Sequence, residues 1–439
     1  MLKSAPAKLL FSILSLLIIT SAAFAEASLK QLAEDAISED RTASDAAIKE
    51  LRNRGYEGLN ALLRESRSSI EAHYSQTGDP DKWNLISHAI DSVARQKDAW
   101  ASGLYWHTDL DAAKAESART GKPIISLRLL GNLDEELSCA NSRFFRAILY
   151  TDPKVSSLMR NGFVLHWRSQ RPAPVMTVDY GNGRKLVTTI TGNSIHYVLN
   201  SKGEVLDALP GLYSPNVFSE QLRTIEAIRA AQLVESSIVV RAHQTRTRNS
   251  LLVRWRGDLE LLGNDPETAD KTVDSDIESI AIASDELPSA VIAAPRAVTK
   301  FVAESSLLRL TAIDRAELLA NTDFTKWREL ARLYDESVLS EQSIRFIRLK
   351  ADPKGERSDS DLRKMSARLA ETIALDTVRN QYLFRTNLLG WLTESGGRDL
   401  DKFNERIYSE LFLTPDSDAW LGLYSPADFN GIAYNGVVK

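Results

Sequence analysis

The chain has 439 residues, of which 43% are hydrophobic and 26% are charged, and its formal net charge is -5. This length and apolar content exclude a fibrous or disordered chain and leave room for two or three domains with large cores. No nucleic-acid partner is predicted, because nucleic-acid binding needs clustered positive charge and this chain is modestly acidic.

Residues 1–25 have the pattern of a secretory signal peptide. Two lysines precede an apolar run over 9–19, and small residues then lead to Ala-Phe-Ala at 23–25. The apolar run is about half of the roughly 20 residues that a membrane-spanning helix needs, so a membrane anchor is the less favoured alternative. We therefore expect cleavage after residue 25, no stable membrane insertion afterwards, and a periplasmic or secreted location.

Residues 26–100 are predicted to form a helical N-terminal domain. In "TASDAAIKELRNRGYEGLNALLRE", Gly55 separates two short amphipathic stretches with apolar residues at helical spacing. This helical hairpin resembles one unit of a HEAT-type repeat. No second copy follows at a fixed period, so a plain helical bundle is the favoured alternative.

Residues 101–232 alternate between helix and strand patterns. Thr108 or Asp109 can cap a helix that ends at Gly121, and the apolar run from Ile124 to Leu130 is typical of a buried strand. A helix from about residue 140, a helix across 155–159, a strand at 163–167, the strand "SIHYVLN", the strand "EVLDALPG" and a long helix from about residue 216 follow.

Two β-branched runs around the turn-forming "DYGNG" predict a hairpin insertion at 172–192. The hairpin either forms a flap over the end of the sheet that carries Cys139 or merely extends the sheet, and the second alternative is slightly favoured.

The order of these elements resembles the thioredoxin fold, an α/β domain with a central mixed sheet. The resemblance covers about residues 105–228. In that family the nucleophilic cysteine opens the active-site helix as C-x-x-C. In "SCANSRFF", Cys139 matches the first cysteine and Ser142 falls at the second, so the resemblance implies a C-x-x-S site. It also places Ser194 and Ile195 in the loop that faces the site, with Ile195 where thioredoxins carry a cis-proline, and Ser126 where they bury an acid.

Cys139 is the only cysteine of the chain, so no intramolecular disulfide can form. A cysteine at a helix N-terminus, with Arg143 and Arg146 four and seven residues further on, is in a setting that favours the thiolate. The apolar stripe of this helix uses residues 144, 145, 148 and 149, so Cys139 is expected on the exposed side. The predicted roles are Cys139 as nucleophile, Ser142 as hydrogen-bond donor to its thiolate, and the two arginines as activators.

Two functions are compatible with this pattern. The first is monothiol exchange or mixed-disulfide capture, with a client protein or a low-molecular-weight thiol as the partner. The second is a non-catalytic protein-binding scaffold, built on a degenerate thioredoxin-like domain with helical flanks. The sequence leaves the oligomeric state open.

No cofactor or metal is predicted. His166 and His196 lie on strands that we predict to be neighbours and could approach one another, but two histidines without a third ligand make a poor metal site. Hydrogen-bonded structural histidines are the favoured interpretation. A hydrolase of the G-x-S-x-G type is excluded, because the motif is absent.

The remainder is predicted to be helical. Residues 241–256 carry five arginines and no acid, whereas 258–286 carry ten acids and one lysine. This polarity predicts an arginine-rich helix and an acidic linker over 233–296. Residues 297–439 are predicted to form a helical C-terminal domain with a long, largely buried helix across 361–392. The segments "GLYSPNVF" at 211–218 and "GLYSPADF" at 422–429 predict two similar helix starts.

Overall fold

The computed structural model describes residues 28–190, 192–281, 288–311, 315–334, 339–395, 399–423 and 431–437. The predicted signal peptide lies outside the described residues, as does most of the second "GLYSP" segment. The chain divides into two compact units, residues 1–105 and 106–439. Among the described residues, no helix has both the length and the apolarity to cross a membrane.

The first unit is helical throughout its described part. Gly55 lies between two of its helices with a φ of +64°, a conformation that glycine adopts at low cost. The helices of this unit are α1 (28–36), α2 (Arg41–Asn53), α3 (Tyr56–Glu65), α4 (Arg67–Tyr74) and α5 (Pro80–Ala94), followed by a 3₁₀ turn at Ala99–Ala101. Leu51 of α2, Leu62 of α3 and Ile90 of α5 are fully buried, whereas α4 has no buried residue.

The second unit is built on a four-stranded mixed sheet. Its strand order is β2-β1-β5-β6, with β1 and β2 parallel and the other neighbours antiparallel. Two further strands, β3 and β4, pair only with each other. The strands are β1 (Ile124–Leu130), β2 (Val164–Arg171), β3 (Val175–Asp179), β4 (Lys185–Thr189), β5 (Ile195–Leu199) and β6 (Val205–Pro210).

Helices surround this sheet, so the predicted α/β class with helical flanks is confirmed at that level. The helices before the end of β6 are α6 (Leu110–Thr120), α7 (Ala140–Phe144) and α8 (Pro153–Gly162), with a π-helical turn at Phe145–Leu149. After β6 come α9 (Pro215–Ala230), α10 (Ser237–Leu261), α11 (Pro266–Ala281), α12 (Ala290–Ala293), α13 (Val298–Thr311), α14 (Arg315–Asn321), α15 (Thr325–Ala331), α16 (Glu341–Ala351), α17 (Asp359–Arg379), α18 (Thr386–Ser395) and α19 (Leu400–Arg406).

The helix α6 shows how local chemistry fixes an element beside the sheet. Of the two predicted caps, Asp109 is the one used, and its carboxylate accepts a hydrogen bond from the Ala112 N–H at 2.7 Å. Gly121 ends the helix in the left-handed conformation with a φ of +67°. The chain then enters β1, whose seven residues are all buried because the strand lies in the middle of the sheet.

The C-terminal segments pack against the sheet rather than forming a body of their own. Arg128 on β1 lies 3.2 Å from Asp401, and Asp207 on β6 lies 2.6 Å from Arg385. The hydroxyl of Tyr197 donates to Asn404 at 2.9 Å. Segments that the sequence suggested as separate regions after residue 101 therefore share one compact unit from residue 106 onwards.

Two helical predictions need correction. The acidic segment predicted as a linker contains α11, because Ala269, Val273 and Ile280 recur at helical spacing and are buried. The predicted long helix across 361–392 is interrupted by a π-helical turn at Asn380–Arg385, between α17 and α18.

Candidate functional site

The candidate site is the corner where the chain leaves β1 and enters α7. Cys139 is the N-cap residue of α7, and its backbone N–H donates to the carbonyl of Leu130 at 3.1 Å. The intervening loop turns at Gly131, whose φ is +72°. A Cβ atom at Gly131 would lie 3.1 Å from the Cα of Ser138, so the start and end of the loop are in close contact.

Cys139 itself is fully buried, with no exposed surface. The expectation that it lies on the exposed side of its helix is therefore wrong. Its Sγ atom lies 2.9 Å from the Oγ of Ser194, so these two side chains form a hydrogen bond in which either can be the donor. The structure thus brings together the predicted nucleophile and the predicted facing loop.

Ser142 does not have the predicted role of donor to the thiolate. Its Oγ lies 2.6 Å from the Oγ of Ser138 and 2.8 Å from the carbonyl oxygen of Cys139, so its single proton is directed to these oxygens. The side chain is fully buried. The polar partner of the sulfur is Ser194, which lies 55 residues further along the chain.

The two arginines of the predicted site donate hydrogen bonds to oxygen atoms around it. Arg143 donates to Thr189 Oγ1 at 3.2 Å, and Thr189 in turn donates to the carbonyl of Ser138 at 3.0 Å. Arg146, which is 3% exposed, donates to the carbonyl of Glu136 at 3.3 Å and reaches Ser138 Oγ at 3.4 Å. The guanidinium groups therefore tie the Cys139 corner to its surrounding loops.

Thr189 is the last residue of β4, so the base of the inserted hairpin lies at the Cys139 corner. The hairpin forms its own two-stranded sheet, and the alternative that it extends the central sheet is wrong. Met176 and Val178 on its inner side pack against a cluster that contains Leu307 and Leu308 of α13. One end of the hairpin is thus fixed between α7 and α13.

The facing loop is covered from another direction. Ser194 is fully buried, and Ile195 begins β5 as a fully buried strand residue. The carbonyl of the preceding residue, Asn193, accepts a hydrogen bond from the Tyr408 hydroxyl at 2.8 Å. A side chain more than two hundred residues away in sequence therefore occupies the backbone acceptor beside Ser194.

The helix α13 also packs against α7 and contributes buried charge. Lys300 and Glu304 stand four residues apart on α13 and are 0% and 1% exposed. Burial lowers the pKa of Lys300, while the nearby Glu304 carboxylate and Cys139 oppose that shift. The buried amine of Lys300 is thus within electrostatic reach of Cys139, a feature that the local sequence around Cys139 does not reveal.

Two buried amides at the corner were also missed from sequence. Asn141 is 0% exposed and Asn193 is 1% exposed, and none of their side-chain nitrogen and oxygen atoms has a hydrogen-bond partner within the described residues. Each stands next to or near a member of the Cys139–Ser194 pair in sequence. Asparagine side chains are mostly exposed in proteins, so the residue type alone did not predict that these two are buried.

The histidines are structural and separate. His166 on β2 and His196 on β5 are not on neighbouring strands, because β1 lies between them, and they point to opposite faces of the sheet. His166 Nδ1 lies 2.8 Å from Ser126 Oγ, and His196 Nε2 lies 2.7 Å from the Tyr150 hydroxyl. Burial lowers the pKa of each imidazole to about 3, so both are neutral.

Within the described ranges, no three His, Cys, Asp or Glu side chains come together as metal ligands would. Comparisons with protein-family models, with curated proteins and with solved structures gave no match. The interpretation of the site therefore rests on its own geometry. That geometry is a buried thiol, a serine partner, and a cover made of the hairpin base, α13 and Tyr408.

Proposed function

We propose that the chain is a non-catalytic protein-binding scaffold whose central sheet belongs to a thioredoxin-like module without thiol chemistry. The observation that carries this proposal is the complete burial of Cys139. A thiolate needs access to its target sulfur for exchange, and inert structural cysteines are the buried ones. A thiol with no exposed surface reacts only after the corner opens.

The thioredoxin-like assignment is supported by topology and by one contact. A parallel pair, β1 and β2, is joined through helices and is followed by the antiparallel hairpin of β5 and β6, and this is the element order on which the resemblance rests. Cys139 starts the helix after the first strand, and its sulfur meets Ser194 in the loop before β5. This is the loop that faces the active site in thioredoxins.

The loss of chemistry is supported by what covers that loop. In a thioredoxin-like enzyme, a client must approach the thiol and the backbone of the facing loop. Here the Tyr408 hydroxyl bonds the carbonyl of Asn193, and Thr189 bonds the carbonyl of Ser138. Both contacts satisfy buried backbone acceptors and hold covering segments in place. Monothiol exchange is therefore the less favoured function.

We also propose that the protein is exported, on the strength of the pattern in residues 1–25. The intact mass of protein recovered from the cell envelope fraction should correspond to a chain that begins at Glu26. A mass that retains residues 1–25 would contradict export by this route.

The scaffold proposal is tested by the rate at which iodoacetamide modifies the only thiol. The folded protein is compared with a Cys139→Ala, Ser275→Cys variant, which moves the thiol to an exposed helix position. We expect Cys139 to react at least about 100-fold more slowly than the control thiol, because reaction must wait for local or global opening. In denaturant the two thiols should react at similar rates.

A folded-state rate for Cys139 that equals the control would overturn the proposal. So would a rate that rises with pH about a midpoint clearly below 8.5, since that marks an accessible, activated thiolate. Either result would favour monothiol exchange. Protection that persists until the denaturant unfolds the protein would support the scaffold.

A further inference from the structure

The outer face of α10 is exposed in the part of the chain that the structure describes, whereas its inner side is anchored. The inner side of α10 buries Leu251, Trp255 and Leu259. Gln244 donates to the carbonyls of Val205 and Leu206 at 3.1 and 3.2 Å, which fixes the helix to β6. The outer face is therefore presented by a rigid element.

That outer face is an open surface formed by side chains of α10 alone. We call the row of residues along the middle of this face the ridge. Its two end residues are apolar and exposed, Ile238 at 81% and Val253 at 68%, and the residues between them are small or polar. The intervals along the ridge are four, three, four and four residues, the spacing of a helix–helix seam. The ridge residues are Ile238, Ala242, Thr245, Asn249 and Val253.

The arginines of α10 divide into two groups. Arg248 donates to the carbonyl of Thr386, and Arg256 forms ion pairs with Asp270 and Asp274 of α11. The other three, Arg241, Arg246 and Arg254, are exposed beside the ridge, and no carboxylate in the described residues forms an ion pair with them. At 3.6 residues per turn, Arg241 falls on one side of the ridge and the other two fall on the opposite side.

A cleft adjoins the N-terminal end of the ridge. It has a volume of about 260 Å³, and Ile238 and Arg241 belong both to the outer face and to the lining of this cleft. Apolar side chains from three elements form part of its wall, namely Val205, Leu206, Val240 and Leu392. The exposed ridge therefore leads past an arginine into a partly apolar recess.

We propose that the outer face of α10 is a docking site for an acidic amphipathic helix of a partner protein. The proposal rests on the scaffold function and names its binding surface. Three arginines that form no ion pair within the described residues lie on both sides of a narrow ridge, and they match a helix that carries carboxylates on both flanks of an apolar stripe. Ile238 and Val253 are about 22 Å apart along the helix axis, so a partner helix of about 15 residues would span them.

A helix is favoured over an anionic membrane surface by the composition of the ridge. Helices that lie in a membrane interface bury a broad apolar face with aromatic or leucine side chains. The ridge centre is Ala242, Thr245 and Asn249, which is narrow, small and partly polar. Small side chains permit close approach of a second helix but contribute little to membrane insertion.

The test measures binding of a fluorescent peptide to the full mature chain by anisotropy. The peptide has about 20 residues, with leucines at four- and three-residue intervals flanked by glutamates, and a scrambled peptide of the same composition is the control. The key variant combines Arg241→Glu, Arg246→Glu and Arg254→Glu. The matched control variant, with the same charge change on exposed residues of α17, combines Arg363→Glu, Lys364→Glu and Arg368→Glu.

We expect the α10 variant to bind the acidic peptide at least about tenfold more weakly than the parent, because each exposed ion pair contributes modestly and three such contributions are lost. Binding by the parent should also depend more strongly on salt concentration than binding by the variant. The α17 variant should bind like the parent. A peptide with lysines in place of glutamates should bind the α10 variant better than the parent.

Three results would overturn the docking face: no binding of the acidic peptide, equal binding of the scrambled peptide, or equal losses in both variants. Binding of the parent to vesicles with anionic lipid, but not to the peptide, would assign the face to membranes instead. If the peptide does not bind but Cys139 of the folded protein still resists alkylation, the scaffold proposal stands and only the docking face is lost. Rapid alkylation of folded Cys139 would remove the scaffold whatever the peptide result.

Discussion

Replacing Asp207 by asparagine tests whether the C-terminal helices are an integral part of the sheet unit. Asp207 lies on β6, and its carboxylate accepts hydrogen bonds from Arg385 Nη2 at 2.6 Å and Nε at 3.3 Å. His243 Nε2 of α10 lies 3.0 Å from the same carboxylate. The side chains of Asp207 and Arg385 are 2% and 1% exposed. One buried carboxylate thus joins the sheet to α10 and to the segment that precedes α18.

The expected cost of Asp207→Asn is about 3 kcal/mol at pH 7, because removal of one partner leaves Arg385 buried without its counter-charge. This is a large part of a typical domain stability of roughly 5–15 kcal/mol. Burial alone would raise the pKa of Asp207, but Arg385 and His243 more than offset it and hold the pKa well below its usual value. A carboxylate with a depressed folded-state pKa stabilises the protein above its unfolded pKa of about 4, and this stability is lost as pH falls through the folded value.

The free energy of unfolding is measured by urea titration at neutral and acidic pH. The difference between parent and Asp207→Asn should be complete at pH 7 and should shrink below about pH 4. Asp179→Asn is the control, since Asp179 forms an exposed ion pair with Lys185 at 3.0 Å and its loss should leave stability nearly unchanged. The reasoning is refuted if the two variants are equally stable at pH 7, or if the Asp207 difference grows in acid.

Two further substitutions test buried charge and loop packing. Burial raises the pKa of Asp376 to about 6, against hydrogen bonds from Thr299 and Val298, so its neutral form stabilises the fold at low pH and this contribution is lost as pH rises from about 4 through about 6. Asp376→Asn should flatten that part of the stability profile in urea titrations, and an unchanged slope would contradict the assignment. Gly131→Ala should cost about 1–2 kcal/mol more than Gly181→Ala in thermal melts, because both glycines have φ near +70° but only the first would contact Ser138. Equal losses would count against close packing of that loop.

The strands were the most predictable part of the fold. The mostly apolar run from Ile124 to Leu130 matches β1 residue for residue, because a central strand that is buried on both faces carries apolar side chains on both. The hairpin signal around 179–183 likewise lies between β3 and β4. The order of the strands in the sheet could not be predicted in the same way, since it depends on contacts between residues far apart in sequence. Placing His166 and His196 on adjacent strands failed because β1 lies between β2 and β5.

Burial of Cys139 was not predictable from its helix for two physical reasons. The expected exposed side assumed one α-helix with a constant period, whereas α7 ends at Phe144 and continues as a π-helical turn that shifts the side-chain directions. The cover also comes from Thr189, α13 and Tyr408, which are distant in sequence. The resemblance to thioredoxins pointed to the corner and its facing serine, but only tertiary packing determines whether solvent reaches the thiol.

The structure shows which charges of the basic segment 241–256 and the acidic segment 258–286 form ion pairs. Part of this charge is neutralised internally, since Asp270 and Asp274 pair with Arg256, and Asp276 pairs with Lys326 of α15. The acidic segment is therefore part of a packed helix and not a free counterpart for the whole basic stretch. Three exposed arginines of α10, namely Arg241, Arg246 and Arg254, form no ion pair with a carboxylate of the described residues. A basic surface that persists on an acidic chain, on a helix held rigid by its inner side, is the property expected of a binding surface for an acidic partner.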